Sequence, residues 1–415
     1  MKLKRYDEAI KYFDRVKDLS SNGSSPSMSM TETNETEKEQ IEEHIKMYDK
    51  LIKLDPTDPI AFNNRGVHLS QLGRHSEAVK SYEKAIQLNS DYEKAYLNKG
   101  ISLAALKKTS EALNCLDKSF EIKPNVDAQC IKGNIFFKTK SYRDAIKCFD
   151  KMLQIDPMNV DAYYNKGLTY TKMNEYTKAV ECYEKARDLA PNDMSIYIAK
   201  GLCLSEARKY EEAFDCYKEA ESMNPTYIST LINRAKLHVE KNELNEAITL
   251  YNKVIEIKPN DACSYNNKGL ILIEFNKFEE ADKCFETAIK LQPKYVSAYN
   301  NKGYLLGYKM KKYDQAIKFY SKAIDLEPRN ADLYIGKGFC LHNLRRYNEA
   351  KSVYMSGLEY EPEDPMIYNN IGCSCIELKE YKEAVENFDK AIKLDSNYSQ
   401  AINNRKRAEA FLSSK

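Results

Sequence analysis

Ala61-Phe62-Asn63-Asn64-Arg65-Gly66 recurs as Ala95-Tyr96-Leu97-Asn98-Lys99-Gly100, as Ala162-Tyr163-Tyr164-Asn165-Lys166-Gly167 and as Ala298-Tyr299-Asn300-Asn301-Lys302-Gly303. The closing glycine returns at Gly66, Gly100, Gly133, Gly167, Gly201, Gly269, Gly303, Gly338 and Gly372. Ala235 fills the one vacant place, and nearly every step is 34 residues. A second series follows, at Ala78, Ala112, Ala145, Ala179, Ala213, Ala247, Ala281, Ala316, Ala350 and Ala384. An aromatic usually stands four residues after that alanine, as at Tyr82, Phe149, Tyr183, Tyr217 and Phe285. Then comes a proline, as at Pro124, Pro157, Pro191, Pro225, Pro259, Pro293, Pro328 and Pro362.

Apolar residues recur at three- and four-residue spacing within each period, which is the signature of amphipathic helices. Each period therefore reads as two helices, A and B. The helix-A glycine should let helix B approach, with the helix-B alanine meeting it and the aromatic beside them. Proline lacks an amide donor and clashes with the preceding turn, so it ends helix B and fixes the turn to the next pair. Two steps are irregular. The step from Gly100 to Gly133 is one residue short between Pro124 and Ala128, and the step from Gly303 to Gly338 is one long between Gly303 and Ala316. Both changes fall where turns are expected, so core register is kept. The class is all-α, and the expected form is an α-solenoid.

This pattern resembles the tetratricopeptide repeat in its period and its small-residue, aromatic and proline positions. Ten repeats cover about residues 58–397. The resemblance implies a right-handed superhelix of helix hairpins in which helix A lines the concave surface. The chain departs from the family pattern in having no tryptophan, with tyrosine or phenylalanine usually in its place (Tyr96, Tyr163, Tyr265, Tyr368). The residue before the glycine, commonly leucine, is basic in nine of the ten repeats.

Outside the repeats, residues 1–19 read as a lone helix-B-like segment and 20–37 as a Ser/Thr/Glu-rich flexible linker. Residues 38–57 read as a helix-B-like cap, with Thr36 and Glu39 as a capping box. Residues 398–415 read as a polar capping helix, since a terminal repeat has no neighbour to cover it.

Net charge is +2, from 64 basic and 62 acidic residues, so non-specific nucleic-acid binding is disfavoured. No apolar run approaches a membrane span, and no secretory signal is evident at the N-terminus. Cytoplasmic, or nuclear, location is expected. Eleven cysteines, several of them at one repeat position (Cys115, Cys148, Cys182, Cys216, Cys284), read as reduced packing residues. Cys373 and Cys375 with Cys340 and His342 lack chelating spacing, so no metal or other cofactor is expected. No catalytic motif is found, and Gly336-Lys337-Gly338 is only a fragment of a dinucleotide fingerprint. The chain is expected not to be an enzyme.

The candidate site is an asparagine ladder two residues before the glycine: Asn64, Asn98, Asn165, Asn233, Asn267, Asn301, Asn370 and Asn404, broken at Ile131, Ala199 and Gly336. This position lies roughly 200° around the helix from the aromatic two residues earlier, so it should face away from helix B. An amide offers both donor and acceptor to a peptide backbone. Helices about 8–10 Å apart would place one asparagine at roughly every third residue of an extended chain. The ladder is similar to that in the superhelical arm of the O-linked N-acetylglucosamine transferase, which implies polypeptide binding. The competing reading is a solvated polar face multiplied by duplication.

Ile101, Ala105, Leu270, Ile273, Tyr304, Tyr308 and Phe339 are candidate apolar walls. The basic series, Arg65 to Lys337, is expected to pair with helix-B acids such as Glu83, Asp117, Asp150, Glu184, Glu286 and Asp389. The family's carboxylate clamp for chaperone C-termini is matched only at Asn134 and Asn165, with Cys130, Ser195 and Ala199 where basic residues belong. The leading function is a protein–protein adaptor or scaffold that binds extended polypeptide. The alternatives are a substrate-binding or regulatory arm for an enzyme on a separate chain, an RNA-binding helical repeat, and a chaperone co-factor.

Overall fold

The computed structural model describes residues 35–413, all of its regular elements helical. The segment 1–19 and the linker as far as residue 34 lie outside the described residues. The first helix, α1 (Glu35–Leu54), begins earlier than the sequence suggests. Thr36 therefore sits within its first turn rather than capping it, and Glu35 and Glu37 favour the positive helix N-terminus.

The chain divides into two compact units, Met1–Ala162 and Tyr163–Lys415. In the first unit α1 is followed by three A/B pairs: α2 (Pro59–Gln71) with α3 (His75–Leu88), α4 (Glu93–Ala105) with α5 (Thr109–Ile122), and α6 (Val126–Lys138) with α7 (Tyr142–Ile155). The next helix, α8 (Val160–Lys172), spans the boundary and pairs in sequence with α9 (Tyr176–Leu189). The second unit continues with α10 (Met194–Glu206), α11 (Tyr210–Met223), α12 (Ile228–Glu240), α13 (Leu244–Ile257), α14 (Ala262–Glu274), α15 (Phe278–Leu291) and α16 (Val296–Tyr304). It ends with α17 (Tyr313–Leu326), α18 (Ala331–Asn343), α19 (Tyr347–Leu358), α20 (Pro365–Glu377), α21 (Tyr381–Leu394) and the unpaired α22 (Ser399–Ser413). The ten expected helix pairs are all present.

Packing within a pair depends on a ring rather than on the alanine. A Cβ built on Gly133 would lie 2.5 Å from Phe149 Cε1, on Gly201 2.6 Å from Tyr217 Cε1, and on Gly372 2.6 Å from Phe388 Cε1. The helix-B aromatic thus occupies the volume that a helix-A side chain would need. The helix-B alanines are fully buried beside it. Turns between pairs are held by a second aromatic. The hydroxyls of Tyr197, Tyr299, Tyr334 and Tyr368 donate to the carbonyls of Pro191, Pro293, Pro328 and Pro362 at 3.0, 3.2, 2.8 and 3.1 Å. In these four repeats tyrosine supplies a hydroxyl that reaches the preceding proline turn, which phenylalanine could not do.

Every A-to-B turn passes through the left-handed region. Glycine serves only at Gly73; elsewhere it is Lys107, Lys140, Asn174, Arg208, Asn242, Asn276, Lys311, Arg345 and Lys379. The left-handed residue falls seven positions after the glycine in most repeats (Gly100 to Lys107, Gly269 to Asn276) but eight after Gly303, at Lys311. The extra residue is absorbed by a π-helical turn over Leu305–Lys309, where the Met310 amide bonds the Leu305 carbonyl at 2.9 Å. The missing residue before Ala128 shortens the turn between α5 and α6, and Asn125 caps α6 by accepting from the Ala128 amide at 2.7 Å.

Three of the five histidines lie where α1 meets the first pair. The rings of His44 and His68 are 5.0 Å apart, and His68 stacks on Tyr48 at 5.6 Å. His75 Nδ1 is 3.2 Å from the Ser70 hydroxyl. Arg65–Asp49 and Arg74–Glu42 ion pairs flank this joint. Burial first, and His44 nearby, hold His68 below the usual imidazole pKa against a hydrogen bond that its ring donates to the Gln71 amide oxygen.

Two outcomes are expected. Gly269→Val should lower stability by about 1–3 kcal/mol through overpacking, and Lys140→Gly should raise it by about 0.5–1 kcal/mol by relieving the left-handed residue, both read as urea midpoints. Because folded His68 binds a proton less readily than the unfolded chain, stability should fall as pH drops through about 6.5. Thermal melts near pH 7.5 and pH 5.5 should show this loss, and His68→Phe should reduce it.

Candidate functional site

The structure places the ladder asparagines on the A helices, half-buried at the seams between successive A helices. Asn98 Nδ2 donates to Asn63 Oδ1 of the preceding pair at 3.0 Å, and Asn63 Nδ2 donates to Asn64 Oδ1 at 3.1 Å. The same relay recurs in the second unit. Asn301 donates to Asn266 at 2.9 Å and Asn266 to Asn267 at 3.4 Å, while Asn404 donates to Asn369 at 3.0 Å and Asn369 to Asn370 at 3.3 Å. At Asn63-Asn64, Asn266-Asn267 and Asn369-Asn370 the doublet is thus a local unit: its first member is buried and links two ladder residues. Each amide has two N–H donors and two acceptor lone pairs, so the relay uses only part of that capacity.

The other predicted residues fall as follows. Asn165 and Asn233 are half-buried and stand outside these relays, and Asn134 is exposed, with its amide 3.7 Å from Cys130 Sγ. The break at Gly336 has a steric cause. A Cβ there would lie 2.4 Å from Tyr320 Cζ, so Tyr320 fills the space that a ladder side chain would take. Ala199 is buried.

Three residues beyond the ladder, one helical turn on and on the same face, lies an apolar row that the sequence reading named only in part. In the second unit it includes Leu202, Leu270 and Tyr304, which are 42, 39 and 38% exposed, and the half-buried Phe339. The π turn brings Tyr308 beside this row. Tyr304 and Tyr308 stack at 5.1 Å, and Tyr308 lies flat on Phe339 at 3.9 Å. Burial pushes the Tyr308 hydroxyl up to about 12, so the ring stays neutral. Of the other walls, Ala105 is exposed and Ile101 half-buried. Ile273 is not a wall, being buried against Phe285 and Leu305. The regular three-residue offset of Val67, Ile101, Leu168, Leu202, Leu270 and Tyr304 from the ladder could have revealed the row.

At least six of the nine members of the basic series pair within the protein, and Arg405 continues the pattern. Arg65 pairs with Asp49 at 2.7 Å, Lys99 with Glu83 at 3.0 Å, Lys200 with Glu184 at 2.8 Å and Arg405 with Asp389 at 2.5 Å. Lys132 pairs with Asp117 and Arg234 with Glu221. Each acid belongs to helix B of the preceding pair or to α1, so these bridges join neighbouring repeats. At Arg234 the usual place holds Lys218, and the arginine reaches Glu221 instead. Lys302, 3% exposed, meets Asp282 at 3.0 Å and Glu286 at 2.7 Å and lies over the Phe319 ring.

All eleven cysteines are free thiols. Burial pushes Cys148 up to about 11 and Cys340 and Cys375 up to about 12, away from thiolate chemistry. Cys375, Glu380 and Glu383 cluster as metal ligands would, but the Lys351 ammonium already sits 2.8 Å from each carboxylate. Burial opposes the charge on Lys351, yet these two hydrogen bonds leave its pKa raised.

Sequence comparison settles the family. Tetratricopeptide-repeat profiles match residues 59–92, 93–126, 160–193, 195–227, 264–295, 284–318, 308–369 and 365–398, and a TPR-repeat profile matches 133–174 and 235–274. The chain is a tetratricopeptide-repeat protein. No curated protein sequence matches it. Among solved structures it is similar to yeast Tom70, at 16% identity over 91% of this chain and 93% of that one, with a TM-score of 0.51. The APC/C hetero-tetramer Cut9–Hcn1 aligns at 15% identity over 88% and 81% of the two chains, with a TM-score of 0.47. A tetratricopeptide repeat protein from Parabacteroides merdae aligns at 20% identity over 60% and 98%, also with a TM-score of 0.47. At such identity the likeness to Tom70 is one of fold. No described helix is long and apolar enough to cross a membrane.

Lys302→Met is expected to destabilise the protein by about 1–3 kcal/mol, because Asp282 and Glu286 would be left facing each other beside a buried stem; partial exposure of Glu286 keeps the loss below that of a fully buried pair. Urea unfolding of the variant would measure it, and an unchanged midpoint would mean that the bridge adds nothing.

Proposed function

We propose that this tetratricopeptide-repeat protein is a non-catalytic scaffold that holds extended polypeptide along its A-helix face. Tetratricopeptide repeats serve as protein-interaction scaffolds, and the ten repeats occupy most of this chain. The observation that carries the finer reading is the apolar row beside the half-buried amides. Leu202, Leu270 and Tyr304 expose about two-fifths of their surface; Leu270 and Tyr304 lie one turn from Asn267 and Asn301, and Leu202 lies one turn from the ladder break at Ala199. Side chains of a bound segment would pack on that row, while its backbone would meet the donors and acceptors that the relay does not use. At least six of the nine A-helix basic residues are held in bridges between repeats, and asparagine is the polar group that recurs beside the apolar row. Little demand for sequence is then expected, since backbone groups are common to all peptides.

A variant carrying Asn165→Ala, Asn233→Ala and Asn267→Ala tests this reading, because two of the three lie outside the relays. Immobilised wild type and variant, matched in helicity and thermal midpoint, would be offered the same cell extract. Polypeptides held by the wild type should be depleted at least about tenfold on the variant, equivalent to about 1.4 kcal/mol. Equal capture by both proteins would mean that the asparagines are a solvated face.

A further inference from the structure

The turn that follows the π segment differs in charge from its counterparts. The residue before helix B is basic in six repeats, at Arg74, Lys108, Lys209, Lys277, Lys312 and Arg346. In five of them it pairs with a glutamate three residues on: Arg74–Glu77 at 2.7 Å, Lys108–Glu111 at 3.1 Å, Lys209–Glu212 at 2.9 Å, Lys277–Glu280 at 3.8 Å and Arg346–Glu349 at 2.7 Å. At the sixth, Lys312, the place of the glutamate is taken by Gln315. Lys309 and Lys311 precede it, so three ammonium groups fall within four residues. Among the described residues no carboxylate lies within ion-pair distance of Lys309, Lys311 or Lys312. The next acid in sequence, Asp314, faces Arg346 at 3.9 Å. Lys309 Nζ lies 5.8 Å from the centre of the Tyr304 ring. Unneutralised charge therefore borders the most exposed part of the Tyr304–Tyr308–Phe339 stack.

The coincidence has one structural origin. The inserted residue opens the π turn, and the π turn both presents Tyr308 and carries Lys309. π turns of this kind are frequent at functional sites.

We infer that this patch binds an acidic polypeptide segment bearing one large aromatic side chain, whose ring packs on Tyr304 and Tyr308 while flanking carboxylates meet Lys309, Lys311 and Lys312. The inference rests on the scaffold reading above and names the class of partner. Charge complementarity selects acid over base, and the aromatic stack selects a ring over a purely charged tail. A nucleic-acid strand fits less well. The surplus charge is confined to one turn, whereas a strand needs a continuous basic track, and Glu274, Glu279 and Glu280 flank the preceding A-to-B turn.

The chain contains no tryptophan, so indole emission can report a ligand alone. The probe is a short synthetic peptide with one tryptophan flanked by glutamates, titrated with the full-length protein. Controls replace the glutamates with lysines, or the tryptophan with alanine. The acidic tryptophan peptide should bind at least about tenfold more tightly than either control, and added salt should weaken it. A Lys309→Glu, Lys311→Glu variant should lose about tenfold or more, and so should Tyr308→Ala. Lys107→Glu with Lys108→Glu, in the corresponding turn between α4 and α5, should change nothing. Equal binding of the acidic and basic peptides, or indifference to both patch variants, overturns the inference. So does binding of oligouridylate with the same variant dependence when the peptide does not bind. If the wild type captures polypeptide through its asparagines yet ignores the acidic tryptophan peptide, this inference fails and the scaffold reading stands. If neither binds, both fail.

Discussion

An aromatic ring lying on a bare α-carbon organises this protein. Each helix A contributes a glycine, each helix B sets a ring against it, and the distance between the two helices follows from that contact. Once that distance is fixed, the alanines of helix B can be buried completely and the proline turn can be reached by a tyrosine hydroxyl from the next helix. The two departures support this order of causes. Leu116 replaces the ring opposite Gly100, and its branched end still presses on the glycine position at 2.9 Å. At Ala235 the methyl is buried in one cluster with Tyr251, so one carbon is accommodated where the neighbours adjust.

The bonds that join one repeat to the next are of a different kind. Within a pair, contact is apolar and close-packed. Between pairs, ion pairs reach from helix A back to the preceding helix B, and amide relays reach from one helix A to the next. A chain of near-zero net charge with 30% charged residues has spent much of that charge on its own joints. The turn at Lys309–Lys312 departs from this habit, which is why it invites a partner of opposite sign.

The repeat, its helices and the location of both length changes were legible in the sequence, because a period of 34 residues repeated ten times leaves no freedom in register. Gly303 to Ala316 bounded the insertion, but nothing in those residues distinguishes a longer loop from a π turn. That choice depends on Gly307 coming close enough to Cys340 that a side chain would collide. The asparagine ladder was visible as a column, whereas its relay was not, since Asn63 and Asn64 are adjacent in sequence and only the spacing of α2 and α4 reveals which one bridges. Glu83, Asp117, Glu184, Glu286 and Asp389 were legible as partner acids and do pair, whereas Asp49, in α1 ahead of the repeats, and Glu221, outside the regular register of the column, were not. Ile273 was misread as surface because its offset from the glycine resembles that of exposed neighbours, while its side chain turns under Phe285.

The cysteines carry a last consequence. Cys148, Cys182, Cys216, Cys340 and Cys375 are buried in five different repeats as small apolar fillers, and burial suppresses the thiolate of Cys148, Cys216, Cys340 and Cys375. A thiol reagent can reach such a sulfur only when its own repeat opens. The solenoid therefore contains a series of native chemical reporters spaced along its length. The order in which these sulfurs become modified would map local breathing repeat by repeat, without introducing a foreign label.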